Sequence, residues 1–301
     1  MPVGRRVRCA ATRSTRPATS APARTATTST DPAPGLPLEA QAVEPAEAGE
    51  PGADAWVASP LDSGATLELL RVADIDPVGW LVGSSNNAMV VRARVGAEAT
   101  LAVWKPTAGE RPLFDFPIGT LTRREVAAFH VSEALGWGIV PPTILRDGPA
   151  GEGMLQAWID IDPAADVIAM VNEDDPRLRR VAVLDAILNN TDRKAGHLLP
   201  VAGGHLFAVD HGVTFSTVPK LRTVLWAWEG EAFDRAEAAG LARVASSLGT
   251  APSPGPLAAE LRELLASREI AATRTRVAEL LGAGVFPGPN PEWPAIPWPP
   301  Y

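Results

Sequence analysis

Apolar and polar positions alternate in two neighbouring segments, "AMVVRARVG" at 88–96 and "TLAVWKP" at 100–106, with "VGAEA" between them reading as a turn. A period of two with β-branched residues predicts an antiparallel hairpin. Upstream, "LELLRVADIDPVGWLVGSS" predicts a short helix over 67–72 followed by a strand. Downstream the period lengthens. In "TRREVAAFHVSEALG" the apolar Val126, Phe129, Val131 and Leu135 precede Gly136, the pattern of a helix with a glycine stop. "GMLQAWID" then reads as a strand. Asp175-Pro176 supplies an N-cap and a proline at the first helical position for a second helix, whose Leu178, Val181, Leu184 and Leu188 share a face. This helix runs straight into "ILNNTDRKAGHLL", residues 187–199, where two amides, an acid and a basic pair sit between apolar residues. "HLLPVAGGHLFAVDHG" follows as two short strands around Gly203-Gly204. The segments "EAFDRAEAAGLARVASSLG" and "GPLAAELRELLASREIAATRTRVAELLG" are helical, with Leu257, Leu261, Leu264 and Leu265 in one stripe.

A small antiparallel sheet with one helix, a connecting strand and a mainly helical C-terminal lobe predict an α+β, protein-kinase-like two-lobed fold. The N-lobe is expected over 63–158 and the C-lobe over 159–288. Residues 1–62 show no apolar periodicity and are expected to be a disordered Arg/Ala/Pro-rich tail. A Pro/Trp-rich tail, "PNPEWPAIPWPPY", closes the chain at 289–301.

Composition narrows the function. At 301 residues, 46% hydrophobic and 21% charged, the chain can bury a full core. A formal net charge of −8 argues against nucleic acid as a general partner. The single cysteine, Cys9, excludes an intrachain disulfide and a cysteine-based zinc site, which fits a reducing cytoplasm. No apolar run reaches the roughly 18 residues that span a bilayer, so membrane contact is expected to be at most peripheral. The first 35 residues carry six arginines against one acid, Asp31. That bias resembles a transit peptide, and equally the tail, or mis-set start, of a chain from a GC-rich bacterial genome.

Phosphoryl transfer needs a loop over the phosphates, a lysine on them, an acid by the nucleophile and a metal ligand. Each has a candidate, in order along the chain. Gly83, Ser84, Ser85, Asn86 and Asn87 lie between two strands, where small residues let backbone N–H groups approach phosphates. Lys105 ends the next strand. Glu125, in the first turns of the following helix, can hold that lysine, although Arg123 and Arg124 offer it nearer partners as a surface pair. Asp192 follows the second helix, and His197 comes five residues later. Asp210 ends the second strand of the hairpin, before His211 and Gly212, where a carboxylate suits Mg²⁺.

Four segments carry a resemblance. "NTDRKAGHLL", "LFAVDHGVTF", "LAVWKP" and "EALGWGIVPPT" resemble, over roughly 80–230, motifs of the phosphatidylinositol 3- and 4-kinase superfamily, most of all the type II phosphatidylinositol 4-kinases and a bacterial branch of relatives. The resemblance implies an ATP-dependent phosphotransferase using Mg²⁺ or Mn²⁺. Asp192 would be the catalytic-loop aspartate facing the acceptor hydroxyl, Arg193 a brace of that loop, and Asp210 the principal metal ligand. Lys105 would contact the ATP phosphates, Glu125 would orient it, and the loop from Gly83 to Asn87 would cover them. Gln156, Ala157 and Trp158 would belong to the adenine-binding hinge through backbone groups. The acceptor is left open among a lipid headgroup, a protein and a small molecule.

The family places an asparagine, as second metal ligand, where this chain has His197. Imidazole is a softer ligand that suits Mg²⁺ poorly, but it can take Mn²⁺ or hold a metal-bound water. Two further readings therefore stand: a nucleotide-binding pseudokinase that acts by binding a partner, and an enzyme that transfers AMP on the same fold. Trp226 and Trp228 are expected in the core of the helical lobe rather than at an exposed lip.

Overall fold

A computed structural model describes residues 43–45, 63–81, 86–250 and 252–301. It forms a six-stranded, wholly antiparallel sheet in the order β1-β2-β3-β4-β6-β5, followed by a mainly helical lobe. The strands are β1 (Val43–Pro45), β2 (Asp74–Leu81), β3 (Met89–Val95), β4 (Glu98–Pro106), β5 (Thr143–Gly148) and β6 (Gly151–Ala157). Helix α1 (Ser63–Val72) precedes β2, and α2 (Leu121–Leu135) lies between β4 and β5. The architecture is α+β, a small antiparallel sheet lobe with helices followed by a mainly helical lobe.

Several local expectations change. The turn between β3 and β4 shrinks from five residues to two, because Val95 pairs with Glu98 and Gly96 takes the left-handed conformation (φ 60°) that a tight hairpin demands. Helix α1, expected over 67–72, begins at Ser63 and packs on the sheet. β5 makes a hairpin with β6 that the alternation of "GMLQAWID" did not reveal. β1 pairs with β2 and lies inside the segment expected to be tail. The rest of 1–62 and loop positions 82–85, including Gly83, Ser84 and Ser85, lie outside the described residues.

The helical lobe contains α3 (Val167–Asn172), which has no counterpart in the sequence reading, and α4 (Leu178–Leu188), which begins a turn after Asp175-Pro176. The hairpin around Gly203-Gly204 is β7 (Leu198–Pro200) with β8 (Leu206–Ala208). The long helical stretch near the C-terminus is broken at 263–266, so α5 (Arg235–Leu248) is followed by two helices, α6 (Pro256–Arg262) and α7 (Ser267–Ala283). Trp228 is buried in the helical core, and Trp226 is half-buried with its indole N–H on the Ala295 carbonyl at 2.9 Å. Among the described residues no helix is long and apolar enough to cross a membrane.

Two cores support the site. One lies between α1 and the sheet, with Leu70, Val91 and Trp104 fully buried at its centre. The other is continuous from α2 through α4, α5, α6 and α7. Helix α2 therefore belongs by packing to the helical lobe. Trp104 needs room: a Cβ on Gly148 or Gly153 would lie 2.7 Å from its ring, and at Gly153 also 2.6 Å from the Lys105 carbonyl oxygen. Gly153→Ala is expected to cost about 1–3 kcal/mol through overpacking, whereas Gly196→Ala, with nothing within 4 Å of its Cβ, should stay within about 0.5 kcal/mol. Urea unfolding of the two variants checks this.

Candidate active site

Strand β4 alternates between its faces, burying Trp104 on one side and sending Lys105 to the other, towards α2 and the cleft. The Lys105 ammonium donates to Glu125 Oε1 at 2.6 Å and to Asp210 Oδ1 at 3.1 Å. Glu125 is 2% exposed. Arg123 and Arg124 are not its partners, because consecutive helical residues diverge by about 100°. Arg123 pairs with Glu152 at 2.7 Å. The buried Arg124 donates to the Thr214 carbonyl at 2.7 Å and to Glu269 at 2.6 Å. The expected surface pair is instead a buried lysine–carboxylate cluster. Burial disfavours the Lys105 charge, but Asp210 and Glu125 outweigh it and hold the ammonium above the usual lysine range. Lys105 in turn drives Asp210 well below the carboxylate range against the effect of burial. Burial raises Glu125, and Lys105 opposes that rise.

The loop carrying Asp192 is held from below. Helix α4 ends on Asn189 in the left-handed conformation (φ 51°), which asparagine tolerates. The next residue, Asn190, donates to Asp185 at 2.9 Å and accepts the Asp192 backbone N–H at 3.0 Å. Arg193 is wholly buried: its Nε donates to Asp185 Oδ2 at 2.9 Å, its Nη2 to Asp185 Oδ1 at 3.0 Å and its Nη1 to the Val209 carbonyl at 2.6 Å. It therefore braces the loop and points away from the cleft. Asp192 keeps a partly open carboxylate with Lys194 Nζ at 3.3 Å. Burial raises its pKa and Lys194 opposes that rise.

Asp210 follows β8 with φ 62°, a left-handed backbone rare outside glycine and asparagine or aspartate, which turns its carboxylate into the cleft. Its side chain is 43% exposed. A half-open, ionised carboxylate suits a hard divalent cation that keeps waters and phosphate oxygens as its other ligands, so the donor chemistry fits Mg²⁺ or Mn²⁺ at Asp210. His197, expected to join it, lies with Nε2 at 3.3 Å from Asp210 Oδ2. Burial, reinforced by Arg193, Lys194 and Lys105, lowers His197 to about 4 in spite of Asp210.

His211, between Asp210 and Gly212, is fully buried. Its Nε2 lies 2.7 Å from Arg193 Nη2, which can only donate, so that nitrogen accepts and the proton sits on Nδ1. Nδ1 has no hydrogen-bond partner and stands 3.9 Å from Glu125 Oε2, which accepts the His211 backbone N–H at 2.7 Å. Burial, with Arg193 adding to it, keeps this imidazole neutral well below the usual histidine range.

The structure thus brings Lys105, Glu125, Asp192, His197 and Asp210 together, with Arg193 buried beneath them. Asn86 accepts the Arg111 backbone N–H at 3.2 Å, and Asn87 is left-handed (φ 50°). The hinge is different. Gln156 and Ala157 belong to β6, the Gln156 amide is buried on Thr143, and the backbone N–H groups of Ala157 and Trp158 donate to Pro142 and Leu101 carbonyls. Those N–H groups are spent within the protein, leaving carbonyls as the groups that 157–158 can offer to an adenine. Sequence reasoning missed Asp185, Asn189, Asn190 and His211 as supports of the loop. The signal for Asp185 was a single carboxylate inside the apolar run "VAVLDAIL". The C-terminal segment, expected to be a tail, is stitched to this region: the Ala195 N–H donates to the Pro300 carbonyl and the Thr223 N–H to that of Ala295, both at 3.0 Å.

No family model matches the chain. It is 40% identical to protein Rv2133c of Mycobacterium tuberculosis over 268 residues, which cover 77% of this chain and 94% of that protein. Among solved structures it is similar to the Helicobacter pylori proinflammatory kinase CtkA, at 13% identity and a TM-score of 0.45, over 71% of this chain and 94% of that one. An overlap that partial assigns no residue from one to the other.

Asp185→Ala would strand the Arg193 charge in the interior and is expected to destabilise by about 3–5 kcal/mol in urea unfolding. A pH effect follows from His211, whose folded pKa lies well below its ordinary 6.5. As pH falls through 6.5 the unfolded chain binds a proton that the native state refuses, so stability is lost. The slope is about 1.4 kcal/mol per pH unit for one histidine. Thermal midpoints measured from pH 7 to 5 should fall more steeply for the wild type than for His211→Gln.

Proposed function

The chain belongs to the family of the mycobacterial protein Rv2133c, and we propose that it is a kinase-like phosphotransferase moving the γ-phosphate of ATP to a hydroxyl acceptor. One observation carries this reading. Lys105 Nζ meets Glu125 at 2.6 Å and Asp210 at 3.1 Å, joining β4, α2 and the segment after β8 in the cleft that also holds Asp192. A lysine held by a buried glutamate, beside an ionised aspartate and a second, partly exposed one, supplies the charges that phosphoryl transfer requires.

In this reading Lys105 binds the phosphates and Glu125 keeps its ammonium in place. Asp192 orients the acceptor hydroxyl and takes its proton, while Lys194 keeps that carboxylate from rising too far in pKa. A divalent cation bound at Asp210, Mg²⁺ or Mn²⁺, supplies neutralisation of charge developing on the phosphates. Asn86 and Asn87 flank the phosphate side of the cleft, and the 156–158 strand end borders the nucleotide base. Arg193 acts only through the loop it braces.

The finer reading, kinship with the phosphatidylinositol 3-/4-kinase-like superfamily, is supported by the four motifs around Lys105, Gly136, Asp192 and Asp210. It leaves the acceptor among lipid headgroups, protein side chains and small alcohols, because fold and nucleotide site serve all three. Net charge disfavours nucleic acid, and any membrane contact is peripheral. The pseudokinase reading is favoured by one observation, His197 at the position of the family's asparagine. No residue of the cleft favours AMP transfer.

The test uses the full chain with γ- and α-labelled ATP and either cation, beside Asp192→Ala and Asp210→Ala. Label passing from the γ position alone, and falling about 10²–10⁴-fold in Asp192→Ala, is expected. Tight ATP binding without transfer to any acceptor would favour the pseudokinase.

A further inference from the structure

We infer that Arg222 is an anion-binding residue beside Asp192, and that the acceptor is an alcohol carrying an anionic oxygen group of its own, a phosphate or a carboxylate. The nature of the acceptor rests on the phosphotransferase reading; the anion site does not.

Arg222 runs alongside the loop that carries Asp192. Its backbone N–H donates to the Asn190 carbonyl at 2.9 Å and its carbonyl accepts the Arg193 N–H at 3.1 Å, so the two bonds bracket Asp192. Its neighbours are tied down as well. The Lys220 N–H donates to the Asn189 side chain, the Thr223 N–H to the Ala295 carbonyl and the Val224 N–H to the Arg193 carbonyl. The backbone under Arg222 is therefore fixed before any ligand arrives, which lowers the cost of binding one.

The fold itself makes no use of this guanidinium. Every other cation around it has an acid: Lys105 has Glu125 and Asp210, Arg193 has Asp185, Lys194 has Asp192 and Lys220 has Asp115. Among the described residues no carboxylate pairs with Arg222. Its Nε is buried without a hydrogen-bond partner, while Nη1 and Nη2 make no hydrogen bond and stay open to solvent. A buried donor left unmet costs stability, and an arginine fork matches two oxygens of a phosphate or carboxylate.

The place of this charge selects the acceptor over the nucleotide. Lys105 and Asp210 reach each other from β4 and the segment after β8, whereas Arg222 is bonded to the Asp192 loop. Burial raises the Asp192 carboxyl, and Lys194 and, more weakly, Arg222 oppose that rise. An anion on Arg222 is thus held near the carboxylate that takes the hydroxyl proton. A soluble phosphorylated alcohol and a lipid headgroup with a free hydroxyl share this chemistry.

The full chain is titrated with glycerol 3-phosphate, glycerate and glycerol, read by ligand line broadening in nuclear magnetic resonance, and sedimented with vesicles of phosphatidylglycerol or phosphatidylcholine. At least one anionic probe or the phosphatidylglycerol vesicle should bind in preference to its neutral counterpart, which also tells a soluble source from a lipid one. Arg222→Gln should weaken that binding about 10–100-fold, and Arg222→Lys, which keeps the charge, should recover part of it. Equal binding by wild type and Arg222→Gln, or no preference for the anions, would overturn the inference. With γ-labelled ATP, label should pass to the anionic alcohol over the neutral one, and Arg222→Gln should erase that preference. An equal loss of transfer to charged and neutral acceptors would place Arg222 on the transferred phosphate and overturn its role at the acceptor. Binding that depends on Arg222 without transfer to any acceptor would overturn the phosphotransferase reading and the acceptor with it, and would leave the anion site standing.

Discussion

The buried guanidinium of Arg193 is the constraint on which the cleft depends. An ion cannot leave water for a protein interior unless nearly all its donors are met, and an uncompensated one costs several kcal/mol. The guanidinium meets that demand from three places, Asp185 on α4, the Val209 carbonyl just after β8 and His211 two residues further on, while the backbone of 193 pairs separately with 222–224. The carboxylates of Asp192 and Asp210 therefore take their separation from one side chain that touches neither.

This constraint passes outward through asparagines. Asn190 ties Asp185 to the Asp192 backbone, and Asn189 donates to the Ser216 and Val218 carbonyls while accepting the Lys220 N–H. The segment after Asp210 is thus sewn to the end of α4 by side-chain amides in place of a sheet. The C-terminal residues add a further layer, since Ala295 and Pro300 accept backbone N–H groups from 223 and 195. Its prolines give this segment little helix or strand propensity, yet its carbonyls accept hydrogen bonds, and that is how it is used.

Lys105 is linked to the same frame through α2. That helix carries Glu125 but packs into the core of the helical lobe, with Ala127, Ala128, Val131 and Leu135 buried there. Arg124, one residue before, is fixed to Glu269 of α7 and the Thr214 carbonyl. The lysine on the sheet is thereby held by a glutamate that the other lobe positions. Any movement of the sheet relative to the helices alters the contacts of Lys105 with Glu125 and Asp210.

What the chain determined by itself was periodic and local. Alternation marked β3 and β4, the three-to-four spacing marked α2 and α4, and short motifs put Lys105, Glu125, Asp192 and Asp210 in the order a two-lobed kinase-like fold would use. These features depend on neighbours a few residues apart, so they can be read along a line. The partners of charged groups could not be read in this way. Glu125 looked nearest to Arg123 and Arg124, but a helix turns those away and burial selects Lys105. Asp185 and Arg193 lay eight residues apart with no pattern to join them, and β5 was hidden because its burial comes from Trp104 and α1 rather than from its own alternation. The surroundings of His197 were furthest from the sequence, because Asp210 reaches within 3.3 Å of its ring only in the folded chain.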